Sequence, residues 1–386
     1  IDLQYLAKPD AQNKIDDRTP PVRTGVRRDL QRAAALMAEA RRPLIWAGGG
    51  TRALASTAEG QRALVELAER WGAGVLTGAA GRGAVPEDHP LLIGNFAVAD
   101  ELAELVRDAD CLLTLGSHLR ANETKTFELP LPGTHVQVDV DPEAPGRTYP
   151  VTEGIVADVR AVVPALLEEL GKVRTEAGWG ERVRAAADAA RAAHRAEIGA
   201  YAGICDAMRR RLPREAVVVR DVTIPGSSWG NRLLDVYRPT ENVFAAGGGI
   251  GQGLAMAVGA GVARPGTPVL AIVGDGGLAV YLGELATLAA ERPDVVLTVF
   301  NDGGYGVLRH MQEAKDQPHR GVDLLTPDLG GLARAFGLPH ERVGDAAGFD
   351  AALERALGRG GPALIEVDVP ALEPQPARFV PPVDVP

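Results

Sequence analysis

The chain has 386 residues, of which 46% are hydrophobic and 24% charged, and its formal net charge is −10. At about 150 residues per domain this suggests two or three domains, and the balance excludes a disordered, collagen-like or coiled-coil chain. The acidic excess argues against non-specific nucleic-acid binding, and no apolar run approaches the roughly 18 residues needed to cross a bilayer.

Residues 1–24 read as an extended linker, because Pro9, Pro20 and Pro21 interrupt a polar run of poor periodicity. The first residues carry no apolar stretch after a basic start, so no signal peptide and a cytoplasmic location are expected. An amphipathic helix follows over 27–40. A short apolar strand at 43–50 ends in AGGG, and ALVELAERWG is helical again. Strands at 74–78, 111–116 and 135–141 alternate with helices at 100–109 and through VRAVVPALLEEL. That alternation predicts a doubly wound α/β domain with a mostly parallel sheet over 25–172.

A charged, alanine-rich stretch from Glu176 to Arg211 has a helical pattern, and 173–195 is expected to link two domains. The alternation restarts in 196–386. Strands are predicted at 216–221, 243–246, 269–276, 295–302 and 363–369, with helices at 251–263 and 282–292. The proline-rich tail predicts no regular element. Cys111 and Cys205 lie in apolar runs and are expected to be buried spectators, since two cysteines make neither a disulfide scaffold nor a cysteine-ligated zinc site.

Open α/β sheets bind ligands beyond the carboxyl ends of their strands, so the strand ends of the second domain carry the functional argument. VGDGG (273–277) places Asp275 on a tight turn before a helix expected to begin near Leu278. FNDGGYG (300–306) places Asp302 at the end of another apolar strand, 27 positions later. Two parallel strands joined by one crossover helix would bring both carboxylates to one sheet edge. There Mg²⁺ would take one or two carboxylates plus phosphate oxygens. AAGGGIGQGLAMA (245–257) puts glycines before a helix, where a backbone can approach a flat ligand or a phosphate. No acidic residue follows about 20 positions on, so the dinucleotide reading of this run is set aside.

On these motifs the chain resembles thiamin-diphosphate-dependent enzymes of the acetolactate synthase, benzoylformate decarboxylase and pyruvate decarboxylase group. DVTIPGSSWGNRL, FAAGGGIGQGLAMAVGA and NDGGYGVLR carry the resemblance in the second half. AGGG, GRGAVPEDHPLLIG and ADCLLTLGS carry it in the first. The resemblance implies a Rossmann-like middle domain over 25–172 and a diphosphate- and Mg²⁺-binding domain over 196–386. It implies metal ligation by Asp275, Asp302 and the Gly304 carbonyl, with Gly276, Gly277 and Tyr305 around the diphosphate and Gly274 and Gly306 as further cofactor-binding positions. The Gly248 carbonyl would bond the pyrimidine amino group, Gly249 would be a further cofactor-binding position, and Ile250 would wedge the cofactor into its bent shape. Asp221 and Thr223 lie where the family contacts cofactor or substrate. FAD is a lesser expectation for the AGGG turn, where acetolactate synthases bind it and many relatives bind nothing.

The implied chemistry is decarboxylation or carboligation of a 2-oxo acid, with the cofactor as electron sink. Family members activate the cofactor through a glutamate on a pyrimidine-binding domain. The opening IDLQ resembles the end of that domain, so the domain is expected to be supplied elsewhere, in a homodimer or tetramer. The alternative is a catalytically silent cofactor-binding subunit or fragment. Glu284 is expected to be a structural helix residue, and His310 an exposed helix position more than a substrate contact. Trp229 and Arg232 are left between a substrate entrance and packing or ion pairing, and Arg309 between a substrate carboxylate and a surface salt bridge. No HExxH or GxSxG motif occurs among the seven histidines and the serines, which excludes the usual zinc and serine-hydrolase signatures.

Overall fold

The structure, a computed structural model, describes residues 24–377. All but the last residue of the linker expected at 1–24 lie outside this range, as does the end of the tail. Two six-stranded, wholly parallel sheets organise the rest.

The first sheet holds β1 (Pro43–Ala47), β2 (Gly74–Thr77), β3 (Leu92–Gly94), β4 (Cys111–Leu115), β5 (Thr134–Asp139) and β6 (Glu153–Val156), in the order β3-β2-β1-β4-β5-β6. Its central strands are apolar along their whole length because helices cover both faces, as parallel sheets require. Alternate residues of β1 serve opposite layers. Ile45 and Ala47 meet α1 (Arg27–Glu39), α2 (Ala58–Trp71) and α3 (Val159–Glu169). Leu44 and Trp46 meet α4 (Trp179–Glu197) through Trp179, Val183, Ala187 and Ala190. The segment expected as a linker therefore also closes one face of the first sheet. The helical run predicted from Glu176 to Arg211 is two helices, broken by a turn at 198–200 before α5 (Tyr201–Arg211).

The second sheet holds β7 (Val217–Arg220), β8 (Asn242–Phe244), β9 (Val269–Gly274), β10 (Val295–Asn301), β11 (His340–Val343) and β12 (Ala363–Asp368), in the order β11-β12-β10-β9-β7-β8. One face packs on α6 (Gly253–Ala263) and α8 (Glu284–Glu291), the other on α5 and α10 (Ala346–Arg359). Between them α7 (Asp275–Val280) starts at Asp275 itself, a turn earlier than expected. The Tyr201, Trp229 and Phe300 rings pack together beneath β10.

The sequence reading did not include β3, β6 and β11. The first two have three and four residues. The third, HERV, is a polar edge strand held by Arg355–Glu341 and Arg342–Asp368 pairs. Cys111 and Cys205 are free and buried, and burial pushes each thiol up to about 12, so both stay protonated as inert packing groups.

Polar contacts fasten the two sheets together. Arg82 is 1% exposed and grips Glu87 with Nε at 2.7 Å and a terminal nitrogen at 2.5 Å. Its terminal nitrogens also donate to the carbonyls of Gly230 (2.7 Å) and Leu234 (2.6 Å), on the far side of the interface. Glu87 accepts the Val236 N–H at 3.0 Å. Gln61 donates to the Tyr237 carbonyl at 2.7 Å and Arg52 to that of Asn242 at 3.2 Å.

Candidate functional site

In the second sheet the winding reverses between β7 and β9, and the crevice outside such a reversal is where this kind of sheet takes its ligand. Gly274 pairs with Phe300 across β9 and β10, so the two expected carboxylates emerge side by side. The Asp302 N–H lies 3.4 Å from Asp275 Oδ1, and Thr326 Oγ1 donates to Asp275 Oδ2 at 2.7 Å. Arg309 donates to the Asp302 carbonyl (3.0 Å) and pairs with Asp323 at 2.8 Å, holding the loop after β10. Burial, and then the Asp275 carboxylate, push Asp302 up to about 6 from an ordinary 3.8.

That shift has a definite sign. Folded Asp302 keeps a proton that the unfolded chain releases from about pH 4 upward, so it costs stability as pH rises through 6. In metal-free buffer Asp302→Asn should match the parent near pH 4. At pH 7.5 it should exceed the parent by on the order of 1–2 kcal/mol in denaturant titrations. A difference that does not change with pH would contradict this account.

The carboxylates open into a cavity of about 540 Å³. Thr223, Gly248, Ile250, Gly274, Asp275, Gly276, Gly277, Asp302, Gly304, Tyr305 and Gly306 all line it, so one space gathers eleven of the thirteen residues expected from sequence. Tyr201, Ile224 and Phe300 supply apolar wall. Ile250 is 39% exposed at the lip, a large apolar side chain with much of its surface open to the cavity side. A Cβ on Gly276 would sit 2.7 Å from the Tyr305 ring and 2.9 Å from the Gly304 carbonyl oxygen. Gly304 has φ 154, and a Cβ there would sit 2.1 Å from the Val322 carbonyl oxygen. The cradle is thus backbone by necessity.

The other two expected residues stand apart. Gly249 is exposed and outside the cavity lining. Asp221 stands behind the cavity wall and accepts the N–H groups of Val222 (2.8 Å), Gly251 (3.0 Å) and Gly253 (3.2 Å). Its geometry is that of a clasp on the glycine run, and burial raises its pKa against those stabilising bonds.

Sequence reading missed a second support. Asn301 Oδ1 accepts the Gly303 N–H at 3.2 Å, and Asn301 Nδ2 donates to Glu366 at 2.9 Å. His340 lies 3.1 Å from the other Glu366 oxygen. Glu366 is buried on β12, in a continuous buried run that flags it only as an odd polar residue. Thr326 carried no signal at all, since its loop is about 50 residues from Asp275.

The donor set fits a hard divalent cation. It offers two carboxylates and a carbonyl, all oxygen, and leaves further positions for ligand phosphate or water. No group of three or more His, Cys, Asp or Glu residues forms a self-contained metal cage among the described residues, so any cation here would share its shell with a ligand.

The remaining candidates lie elsewhere. Trp229 is fully buried in the ring cluster, and Arg309 is occupied with the loop. Glu284 begins α8 and accepts from the Thr287 hydroxyl, and His310 lies on α9 (Gly306–Ala314) outside the cavity lining. Arg232 lines an adjoining cavity. The AGGG turn lines a separate cavity of about 420 Å³, where β1 and β4 diverge. A Cβ on Gly48 would sit 2.3 Å from the Gly116 carbonyl oxygen, so that glycine also serves chain-to-chain packing.

Two family models match. Residues 30–166 match the central domain of thiamine pyrophosphate enzymes, and residues 226–367 match their C-terminal TPP-binding domain. The chain is 32% identical over 341 residues to a probable 2-ketoarginine decarboxylase of Pseudomonas aeruginosa, covering 88% of this chain and 60% of that protein. It is 26% identical to the acetolactate synthase isozyme 2 large subunit of Escherichia coli (89% of this chain, 63% of that protein). It is 30% identical to a benzoylformate decarboxylase of Pseudomonas aeruginosa (80% and 58%). The chain thus spans about 60% of the length of the curated relatives it matches.

Proposed function

Because the chain belongs to the thiamine pyrophosphate enzymes, we propose that it binds thiamin diphosphate through Mg²⁺ in the 540 Å³ cavity and takes part in decarboxylation or carboligation of a 2-oxo acid. The observation that carries the proposal is the pair of carboxylates at the ends of β9 and β10, facing a cradle built from glycine backbone.

Asp275, Asp302 and the Gly304 carbonyl would hold the cation. Gly274, Gly276, Gly277, Thr223, Tyr305 and Gly306 would surround the diphosphate. Gly248 and Ile250 would flank the pyrimidine and fix its tilt. When bound, the cofactor supplies an electron sink for breaking the bond to the carboxylate of a 2-oxo acid. The chain's own residues do the rest. Asp221 fixes the glycine run, Ile224 and Phe300 keep water from the apolar wall, and the Asn301–Glu366 pair sets the loop that carries Asp302.

Residues 25–172 form the middle domain in this reading, 173–195 the connection and 196–386 the cofactor domain. No glutamate lines the cavity among the described residues. The activating carboxylate is assigned to a pyrimidine-binding domain or subunit, within a homo-oligomer. No helix of the described residues is long and apolar enough to cross a membrane.

Thermal unfolding tests the proposal. Thiamin diphosphate with Mg²⁺ should raise the melting temperature by several degrees, as ligand linkage requires at saturating concentration, and EDTA should remove the shift. An equal shift with and without the cation would defeat the site assignment.

A further inference from the structure

A second cavity of about 370 Å³ lies between the two domains and shares Val222 and Gly248 with the cofactor cavity. One wall carries Asn95, Arg120 and Asn122, the other Arg220, Asn231 and Arg232. The charges here are unevenly matched. The Glu123 carboxylate accepts the Ala79 N–H at 3.1 Å and lies 3.5 Å from Arg120. Asp221 is occupied by the glycine run. Arg220 donates to the Gly226 carbonyl and to Asn242, and its Nε is buried without a partner.

Arg232 is the outlier. Its Nε donates to the Asn95 carbonyl at 3.3 Å, while its terminal nitrogens meet no hydrogen-bond acceptor among the described residues. Half-buried at a domain interface, with Glu197 the carboxylate that acts on it, this guanidinium keeps hydrogen-bonding capacity that an anion could fill. Arginine stays protonated even here, so the charge persists at any working pH.

We propose that this cavity receives a distal anionic group of the substrate, which makes the 2-oxo acid one with a second carboxylate or an equivalent anion. The inference rests on the function proposed above. The reacting end would lie in the cofactor cavity, and the tail would pass Val222 and Gly248 towards Arg232. A neutral tail leaves the guanidinium unfilled, and a cationic tail meets like charge.

The experiment is a calorimetric titration of the full chain, preloaded with thiamin diphosphate and Mg²⁺. The probes are 2-oxoglutarate and 2-oxohexanoate, which differ mainly in the charge of the tail. The dicarboxylate should bind at least about tenfold more tightly, the size of one good charge-assisted bond. Arg232→Met should erase that preference, and Arg232→Lys should keep part of it. Equal affinities in the parent chain overturn the proposal without any variant, as does a preference that survives Arg232→Met. Inorganic phosphate should compete with the dicarboxylate. Phosphate that binds without competing marks a separate anion site and also overturns the proposal. Failure of the preloading step would instead defeat the cofactor reading, which keeps the two outcomes distinguishable.

Discussion

Replacing Asp275 by alanine should weaken Mg²⁺-dependent thiamin diphosphate binding on the order of 100-fold or more, measured by calorimetry. Asp275 is buried at the end of β9, where its carboxylate is placed by the strand and not by a flexible loop. Arg309 engages the backbone and side chain of Asp302, leaving Asp275 as the carboxylate with the fewest competing cations. A purely structural role would show differently. Without a cation, removing Asp275 relieves repulsion on Asp302 but strips the Thr326 hydroxyl of its acceptor, so the metal-free variant should lie within about 1–2 kcal/mol of the parent. Lost stability together with unchanged cofactor affinity would show that Asp275 braces the fold and does not hold the metal.

Glu87→Ala should destabilise the chain by about 3–5 kcal/mol, the usual cost of stranding a buried charge. Arg82 would keep its carbonyl bonds to Gly230 and Leu234 and lose its carboxylate partner, with 1% of its surface open to water. The Val236 N–H would lose its acceptor as well. Removing both charges, as Arg82→Met with Glu87→Leu, should cost less than the single change, because no charge is then left unpaired. Urea unfolding of the two variants checks this. A single change within 1 kcal/mol of the parent would mean that water already reaches the pair.

The second sheet was legible because parallel strands buried on both faces write long apolar runs. VLAIVG and VVLTVFN each end in an acidic turn, and the turn positions follow from the strand ends. The first sheet was legible through the same signal at PLIWA and CLLTL. HERV was not, because an edge strand half open to water looks like any polar loop. At the site, residues adjacent in sequence to a glycine turn could be read in advance. Supports that arrive through space could not. Thr326 reaches Asp275 from a loop, and Glu366 reaches Asn301 from a neighbouring strand. Arg82 and Glu87 are five positions apart and look like an exposed loop pair, yet they are sealed by carbonyls from the other domain. Asp221, expected where the family contacts cofactor or substrate, also accepts backbone N–H groups across the glycine run, a role that no one-dimensional pattern announces.

The edges of the second sheet bear on how copies of this chain can associate. At one end β11 is bordered by charged side chains already locked in pairs. At the other, β8 has three residues, and Arg52 occupies the Asn242 carbonyl. Neither edge presents a long free row of backbone groups, so one copy has no template on which to extend the sheet of another. If copies associate through this domain, its helical faces and loops are therefore better placed than its sheet edges to carry the contact.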